Sequence, residues 1–346
     1  MQSETFLTDV WYMAMPGHLL KPKALQAKTL LNRPIVLGRD PSGAPFALRN
    51  ICPHRGIPLS YGQFDGCEIE CCYHGWRFNT AGVCTAIPSL TADQKLNIER
   101  IKVMHYPCRE VQGNIWVFIP SDKIPDTLPE VPTVPTVGNI APQLTEKALF
   151  PCSIDHAVVG LMDPAHGPFV HRSWWWRSKK SMHEKAKHFA PIPLGFKMVK
   201  HKPSKNSKAY RLLGGELTTE IQFMLPGVRI EHIQTGKHTV CAVTTLTPLN
   251  AESTEIHQFF YWTLPAWIAW LKPLLRPFAR SFLHQDMSVI VKQQEGLKEN
   301  PPLMLIQDAD TQAKWYQQLK KEFIQARLEQ REFRNPVQPT TLHWRS

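Results

Sequence analysis

The first third of the chain places hydrophobic residues in short runs that are separated by turn residues. Thr29–Leu31, Ile35–Leu37 and Phe46–Leu48 are strand-like, and Asp40–Gly43 predicts the turn between the second run and the third. Asn114–Ile119 is a further run of this kind and predicts a closing strand. This pattern predicts a small all-β domain over residues 1–120.

The next segment changes character, because prolines recur from Pro120 to Pro142 with few large apolar residues between them. Such a composition predicts an extended, semi-rigid connector, which we assign to residues 121–143. The second domain is then expected over residues 144–346.

The second domain mixes two hydrophobic periods. A helical segment is predicted at about 155–166, and helices at about 279–295 and 310–329 are predicted to close the chain. Alternation with period two, typical of half-buried antiparallel strands, occurs between these helices at 217–223, 228–233, 239–246 and 256–262. The predicted fold class is therefore α+β: an all-β N-terminal domain followed by a helix-grip domain, in which a curved antiparallel sheet surrounds a long helix.

Cysteine usage places the chain in a reducing compartment. Eight cysteines in 346 residues do not make a disulfide scaffold. Two are assigned below to a cofactor, and the other six are expected to be reduced thiols in the core: Cys67, Cys72, Cys84, Cys108, Cys152 and Cys241. The N-terminus shows no basic or apolar region of a signal peptide, so we expect a cytoplasmic protein.

The net charge of +11 raises the hypothesis of nucleic-acid binding, but no recognition motif accompanies it. We therefore expect no nucleic-acid partner. The apolar segment Phe259–Leu275 is interrupted by Lys272 and by prolines, so it is too short to span a bilayer, and a packed strand and helix are favoured. Peripheral contact with a membrane surface stays open, because Trp, Leu, Lys and Arg are mixed there.

Two pairs of cysteine and histidine occur in the predicted β domain. Cys52 and His54 are separated by one residue. Cys71 and His74 follow, separated by two. Each pair lies beside glycine or proline, which predicts loop tips that bury the cysteines and expose the histidines. Two thiolates and two imidazoles divided in this way are the ligand set of a Rieske [2Fe–2S] centre, in which two histidines replace two cysteines on one iron.

A structural zinc site is the main alternative, because two cysteines and two histidines also bind zinc. Zinc fingers usually pair cysteine with cysteine and histidine with histidine, whereas each half here holds one of each. The spacing therefore favours the iron cluster. Cys72 lacks the two-residue spacing to His74, so we interpret it as a small buried residue, with its use as a ligand the less favoured alternative.

A second group of ligand-type residues follows the connector. Asp163, His166 and His171 have the spacing D-x₂-H-x₄-H, and Gly167 and Pro168 loosen the chain between the histidines. Two imidazoles arranged in this way can converge on one metal. A carboxylate would complete the two-His-one-carboxylate triad of non-haem Fe(II) oxygenases, which leaves positions open for O₂ and substrate.

The predicted helix at about 279–295 supplies the carboxylate. Asp286 lies in an otherwise apolar stretch, where an unpaired carboxylate would be costly unless it bound a metal or a partner. Glu295, about two and a half turns further on, is the second candidate. Taken alone, His166 and His171 could be ordinary polar histidines. A Rieske centre in the same chain favours the iron site, because the cluster needs an electron acceptor.

The order of these features resembles the oxygenase (α) component of the Rieske non-haem iron oxygenases over nearly the whole chain. Asp163–His171 is most similar to the group that contains the vanillate and dicamba demethylases and the pheophorbide oxygenases. The resemblance implies a head-to-tail homotrimer, in which the Rieske centre of one subunit reduces the iron of its neighbour. It also implies that Asp163 bridges a cluster histidine and an iron histidine. Val159 and Gly160 depart from many relatives, which have Glu and Asn there, so substrate analogy with those relatives is unsafe.

The predicted function is oxygenation of an organic compound, by hydroxylation or oxidative dealkylation, with O₂ and electrons from NAD(P)H. A separate reductase, with or without a ferredoxin, is required, because the chain lacks a G-x-G-x-x-G motif and a second cysteine cluster. The alternative is a Rieske electron-transfer protein without oxygenase activity, but a lone ferredoxin domain would end near residue 120. A non-catalytic binding module would leave His166, His171 and Asp286 unexplained.

Tryptophans suggest the kind of substrate. Trp174–Trp176 follow His171 closely, and together with Trp267 and Trp270 they could frame an apolar entrance for a cyclic, hydrophobic compound. The compound could be a simple aromatic acid or a polycyclic terpenoid, sterol or tetrapyrrole. Core or subunit-interface positions for these tryptophans are an equal alternative.

Overall fold

The computed structural model describes residues 6–171, 182–203, 216–236, 238–263 and 272–346. The tryptophans at 174–176, 267 and 270 and the basic run Arg177–Lys180 lie outside these residues. The chain forms two compact units. The first runs to Thr133 and includes Asn139–Ala141, and the second comprises Val134–Gly138 and the chain from Pro142 onward.

The first unit consists of short antiparallel strands. They are β1 (Val10–Pro16), β2 (Gln26–Leu30), β3 (Arg33–Arg39), β4 (Pro45–Arg49), β5 (Gln63–Phe64), β6 (Glu68–Glu70), β7 (Arg77–Asn79), β8 (Cys84–Ala86), β9 (His105–Tyr106), β10 (Cys108–Val111) and β11 (Asn114–Ile119). Three sheets result, ordered β1-β11-β10, β2-β3-β4-β9 and β5-β6-β7-β8. The loop after β4 carries Cys52, and the loop between β6 and β7 carries Cys71, so both pairs lie where strands end.

The second unit contains one large sheet and four α-helices among its described residues. Its elements are β12 (Leu144–Phe150), α1 (Ile154–Met162), α2 (Gly167–Val170), β13 (Glu184–Ile192), β14 (Gly195–His201), β15 (Leu217–Met224), β16 (Val228–Thr235), β17 (His238–Asn250), β18 (Ser253–Trp262), α3 (Lys272–Leu297), α4 (Thr311–Leu328) and β19 (Thr340–Arg345). The eight strands are antiparallel in the order β12-β18-β17-β16-β15-β14-β13-β19. The fold class is thus the predicted one.

Aromatic side chains fix α4 on one face of this sheet. The ring of Trp315 packs edge-on against Phe189 and Phe196, and Tyr316 packs against Phe223. Tyr316 also donates a hydrogen bond to Asp155 of α1, at 2.6 Å. α1 and α4 therefore cover the same face.

Two sequence predictions in this unit are wrong in detail. The chain does not close with helices, because β19 follows α4 and pairs with β13. The two threonines and the tryptophan of β19 favour a strand there. The helix predicted to reach His166 ends at Met162. Asp163 precedes Pro164, and a residue before proline is driven to extended backbone, here with φ −66° and ψ 116°.

No helix among the described residues combines the length and the apolar composition that a transmembrane span needs. Part of the apolar segment Phe259–Leu275, residues 264–271, lies outside the described residues.

Candidate metal centres

The two Cys/His loops of the first unit have the same backbone design. The N–H of Cys52 donates to Ile57 O, and the N–H of Gly56 donates back to Cys52 O. The second loop repeats this arrangement with Cys71, Trp76 and Gly75. Both glycines have positive φ, +76° and +69°, which L side chains rarely adopt. A glycine four residues after each cysteine therefore lets each loop fold back on itself.

The loops bury their thiols beside one another. Cys52 is 1% exposed and Cys71 is 2% exposed, and both belong to the core of the first unit. Burial, with a smaller contribution from the neighbouring Cys71, raises the pKa of Cys52 to about 11. Buried thiols in this environment become thiolates when a metal replaces their protons. The arrangement suits a metal centre better than it suits free thiolates.

The two imidazoles face each other across the loops. The ring centroids of His54 and His74 are 4.5 Å apart, and His54 stacks on Trp76 at 4.5 Å. The Nδ1 atoms of both histidines are buried and have no hydrogen-bond partner among the described residues. A buried nitrogen without a partner is costly, so two such atoms side by side fit a shared metal cluster. Sequence reasoning did not anticipate the contribution of Trp76.

Cys72 corrects one prediction. It is exposed, not buried, and so is Cys67, which we also expected in the core. Both lie in short turns. Main-chain hydrogen bonds of Cys71 with Trp76 and Gly75 close the second turn, in which Cys71 is buried and Cys72 lies at the surface. An exposed Cys72 does not join the buried pair of thiols.

The second group of ligand-type residues assembles in the second unit. His166 and His171 flank the single turn of α2, and Asp286 projects from the middle of α3. Asp163 caps the end of α1, where its carboxylate accepts a hydrogen bond from the N–H of Ala165 at 2.7 Å. The break at Pro164 and the short α2 turn the two histidines toward α3.

Three candidate ligand atoms converge. His171 Nε2 lies 3.2 Å from His166 Nε2 and 3.2 Å from Asp286 Oδ1, and His166 Nε2 lies 3.9 Å from the same oxygen. One ligand atom from each of the three residues fits within 4.8 Å of the others. His171 is 2% exposed, whereas His166 and Asp286 are 26% and 28% exposed. One side of the group is therefore buried and the other is open, as a site with vacant coordination positions requires.

Oxygen atoms hold the other nitrogen of each ring. His166 Nδ1 is 2.6 Å from the main-chain oxygen of Asp163, and His171 Nδ1 is 2.9 Å from Gln285 Oε1. Each oxygen favours a proton on Nδ1 and leaves Nε2 free to bind a metal. Phe282 stacks on His171 with centroids 3.5 Å apart, which fixes the plane of that ring. The sequence analysis did not predict Gln285 or Phe282 as site residues. The sequence offers only their positions as a signal: Gln285 directly precedes Asp286, and Phe282 lies about one helical turn before it.

Glu295 takes no part in this group. It lies about two and a half turns beyond Asp286 and therefore on another face of α3, where it is exposed. Asp163 lies beside the group, with Oδ2 3.7 Å from His166 Nδ1. Of the four residues proposed for the second centre, the structure brings three together and places Asp163 behind one of them.

Comparison with known proteins agrees with the first centre. Residues 10–107 match the family of the Rieske [2Fe–2S] domain, so the chain contains such a domain. Chlorophyllide a oxygenase of Chlamydomonas reinhardtii is 34% identical over 180 residues, which cover 51% of this chain and 26% of that protein. The 4beta-methylsterol monooxygenase of Methylococcus capsulatus is 34% identical over 127 residues, covering 37% of this chain and 34% of that protein. The chain thus spans about a quarter to a third of these relatives.

Two solved structures share the fold of this protein over nearly the whole chain. Dicamba monooxygenase bound to dicamba superposes with a TM-score of 0.75 at 21% identity, covering 94% of this chain and 99% of that one. The QL mutant of NdmA from Pseudomonas putida CBB5 with caffeine gives a TM-score of 0.73 at 18% identity, covering 96% of both chains. The shared fold and the Rieske domain confirm the resemblance to the Rieske non-haem iron oxygenases.

Proposed function

We propose that this protein is a Rieske-type oxygenase, which uses O₂ and electrons from NAD(P)H to hydroxylate or oxidatively dealkylate a cyclic, hydrophobic compound. One observation supports this proposal above the others: His166, His171 and Asp286 converge within 4.8 Å in a chain that also carries a Rieske domain. A Rieske electron carrier has no use for a second set of converging ligands.

In the first unit, Cys52 and Cys71 are proposed to bind one iron of the cluster through sulfur. His54 and His74 are proposed to bind the other iron through Nδ1, the atoms that lack a partner. The buried thiols hold the cluster in the core, while the two partly exposed rings leave a path for electrons. When bound, the cluster supplies single electrons and the mononuclear iron supplies O₂ activation.

In the second unit, His166 and His171 are proposed to bind iron through Nε2, and Asp286 through its carboxylate. Gln285 and the carbonyl of Asp163 keep the two rings in the tautomer that binding requires. Asp163 is proposed to connect the centres, with its carboxylate joining His166 to the cluster histidine of a neighbouring subunit. A head-to-tail homotrimer and a separate reductase belong to the same proposal.

The substrate class is proposed from the relatives' names and from the tryptophans that follow His171 in the sequence. Two relatives are named for chlorophyllide and for a methylsterol, which are both polycyclic compounds. The two structural neighbours contain dicamba and caffeine, which are smaller ring compounds. We propose a ring compound of low polarity, without choosing between these groups on the names alone. A cytoplasmic location remains a prediction.

The proposal is tested by exchanging Asp286 for alanine. Asp286→Ala should remove most of the mononuclear iron, so that the iron content falls from about three atoms per chain to about two. The Rieske absorption spectrum should not change, because the cluster ligands lie in the other compact unit. O₂ uptake that depends on substrate and reductase should be lost.

Glu295→Ala is the matched control, since it removes an exposed carboxylate from the same helix. It should keep three irons and full O₂ uptake. A wild-type protein with only two irons per chain would favour the electron carrier over the oxygenase. Loss of iron in Glu295→Ala but not in Asp286→Ala would contradict the assigned ligand.

A further inference from the structure

Trp76 carries an indole N–H group that lacks an acceptor. Its Nε1 atom is buried and has no hydrogen-bond partner among the described residues. A buried donor without an acceptor is costly, and most buried donors in proteins are paired. Because the chain itself buries this atom, neither solvent nor a neighbouring subunit can supply the acceptor. The missing acceptor must be a group that the chain encloses.

The indole ring lies at the two Cys/His loops of the first unit. Trp76 closes the second loop, where its main-chain oxygen accepts a hydrogen bond from the N–H of Cys71 at 2.8 Å. Its ring stacks on His54 of the first loop, with centroids 4.5 Å apart and planes 6° apart. It also packs against the buried hydrophobic group that includes Cys52 and Cys71. Trp76 therefore contacts the proposed ligands of both irons.

Three buried nitrogens without partners occur together at these loops. Besides Trp76 Nε1 they are the Nδ1 atoms of His54 and His74, whose ring centroids are 4.5 Å apart. One enclosed group that bound both imidazoles and accepted from the indole would satisfy all three. A [2Fe–2S] cluster has both capacities, because its irons bind nitrogen and its sulfurs accept hydrogen bonds.

The burial of these atoms is compatible with a metal cluster although it excludes a diffusing ligand. Bonds from a metal to nitrogen or thiolate sulfur are about 2.0–2.3 Å long, as zinc sites show. They are shorter than the hydrogen-bond distance of a water molecule to the same atoms. A gap that is closed to water can therefore still hold a metal cluster that is assembled together with the core.

The position of the indole indicates which sulfur accepts. The ring that Trp76 stacks on is His54, and in a Rieske centre the histidines share one iron while the cysteines bind the other. The remaining ligands of the histidine iron are the two bridging sulfides. A donor on the His54 side therefore meets a bridging sulfide before it meets a cysteine sulfur.

We propose that Trp76 Nε1 donates a hydrogen bond to a bridging sulfide of the cluster and thereby raises the reduction potential. The added electron makes the sulfides more negative, so the hydrogen bond stabilises the reduced cluster more than the oxidised one. Trp76 binds no metal and acts only through the cluster. The inference rests on the proposed Rieske centre and adds a residue that tunes it.

The first test measures the reduction potential of the metal-loaded protein by a redox titration followed by absorbance and electron paramagnetic resonance. Trp76→Phe keeps an aromatic ring on His54 but removes the N–H group. We expect the equilibrium constant for reduction to fall about tenfold, which is about 59 mV for one electron. The iron content should not change.

A closer isostere separates the N–H group from the shape of the ring. Replacing Trp76 with benzothienylalanine exchanges the N–H for sulfur and keeps both fused rings. This variant should show the same fall in potential as Trp76→Phe. Trp11→Phe is the matched control, because it removes a buried indole N–H of the first unit whose acceptor is Pro129 O, at 2.7 Å. It should leave the potential unchanged.

The second test detects the donor directly. Tryptophan labelled with ¹⁵N in the indole ring is incorporated, and the reduced cluster is examined by pulsed electron paramagnetic resonance. A nitrogen that is hydrogen-bonded to a bridging sulfide gives a weak ¹⁵N coupling. Wild-type protein should show this coupling, Trp11→Phe should keep it, and Trp76→Phe should lose it.

The outcomes separate this inference from the proposed function. A wild-type protein without the Rieske spectrum would overturn the cluster itself. With the spectrum present, absence of the ¹⁵N coupling in the wild type overturns only the role of Trp76. An unchanged potential in the benzothienylalanine variant also overturns it, whether or not Trp76→Phe is affected, because the ring and not the N–H would then matter.

Discussion

At the scale of single residues, the candidate second centre is positioned by side chains that are not themselves proposed as metal ligands. Gln285 accepts from His171 Nδ1 at 2.9 Å, and Phe282 stacks on the same ring. Such outer contacts restrict a histidine to one tautomer and one orientation, which raises its affinity for a metal. The sequence showed the three candidate ligands through their spacing and chemistry. Gln285 carries no such mark, because its role follows only from how α3 is rotated against α2.

Gln285→Leu should weaken binding of Fe(II) about 10- to 100-fold, because His171 loses the acceptor that orients it. Gln293→Leu makes the same change on the exposed side of the same helix and should leave the affinity unchanged. Iron content after dialysis against a graded chelator measures the effect, with the Rieske spectrum as a check on folding. Equal affinities in both variants would remove Gln285 from the site.

A variant of Asp163 can distinguish a role in metal binding from a role in electron transfer. Its main-chain oxygen, and not its carboxylate, makes the short contact with His166. Asp163→Asn therefore keeps the contact that positions the ring but removes the negative charge. We expect both centres to be fully occupied and reoxidation of the reduced cluster to slow by about tenfold or more. Stopped-flow absorbance in the presence of O₂ and substrate measures the rate of cluster reoxidation. An unchanged rate would exclude Asp163 from the electron-transfer path.

At the scale of elements, the position of α3 determines where Asp286 lies. Only Leu283 and Ile290 of this helix are buried, so apolar packing contributes little for a helix of 26 residues. The ion pair of Arg276 with Glu146 joins the start of α3 to β12. Glu146 is buried, whereas Arg276 and Arg280, which lies 3.9 Å from the same carboxylate, are largely exposed, so the partners are not equivalent.

This difference in burial predicts that removing one partner lowers the free energy of unfolding more than removing the other. Arg276→Ala combined with Arg280→Ala leaves a buried carboxylate unpaired and should destabilise the second unit by about 3 kcal/mol. Glu146→Gln leaves only exposed arginines without a partner and should cost about 1 kcal/mol. The triple variant should recover much of the loss. Denaturant unfolding, followed by circular dichroism, measures each difference. If both changes lowered the free energy of unfolding equally, the burial of Glu146 would not determine the contribution of this ion pair to stability.

Local pattern predicted about half of the elements, and it missed β1, β5–β10 and β12 as well as the strands discussed below. Strands at 217–262 were visible because their side chains alternate between a covered face and an open one. β13 and β14 were missed; β13 alternates charged and apolar residues near the sheet edge, where little of its surface is buried. β19 was missed because it is an edge strand whose partner lies about 155 residues earlier in the chain.

At the scale of the whole molecule, the two candidate centres lie in separate compact units of one chain. The proposed oxygenase function then requires electrons to pass between units, either within a chain or between neighbouring chains. We predict that the protein is a trimer with three times the chain mass of 39.6 kDa, and that electrons cross from one subunit to the next. Light scattering tests the mass, but a trimer alone does not show the route.

Mixed trimers test the route directly. Cys52→Ser removes the cluster from one kind of chain, and His171→Ala removes the mononuclear iron from the other, so neither homotrimer should oxidise substrate. In a head-to-tail ring, a chain with a working cluster can precede a chain with working iron. Random assembly from equal amounts should then restore about a quarter of the wild-type activity. The two chains carry different affinity tags, and purification on both tags removes the inactive homotrimers. The activity expected of the remaining mixed trimers is then about a third of the wild-type activity. If electrons stayed within one chain, mixed trimers would be as inactive as the parents, because no chain would hold both centres.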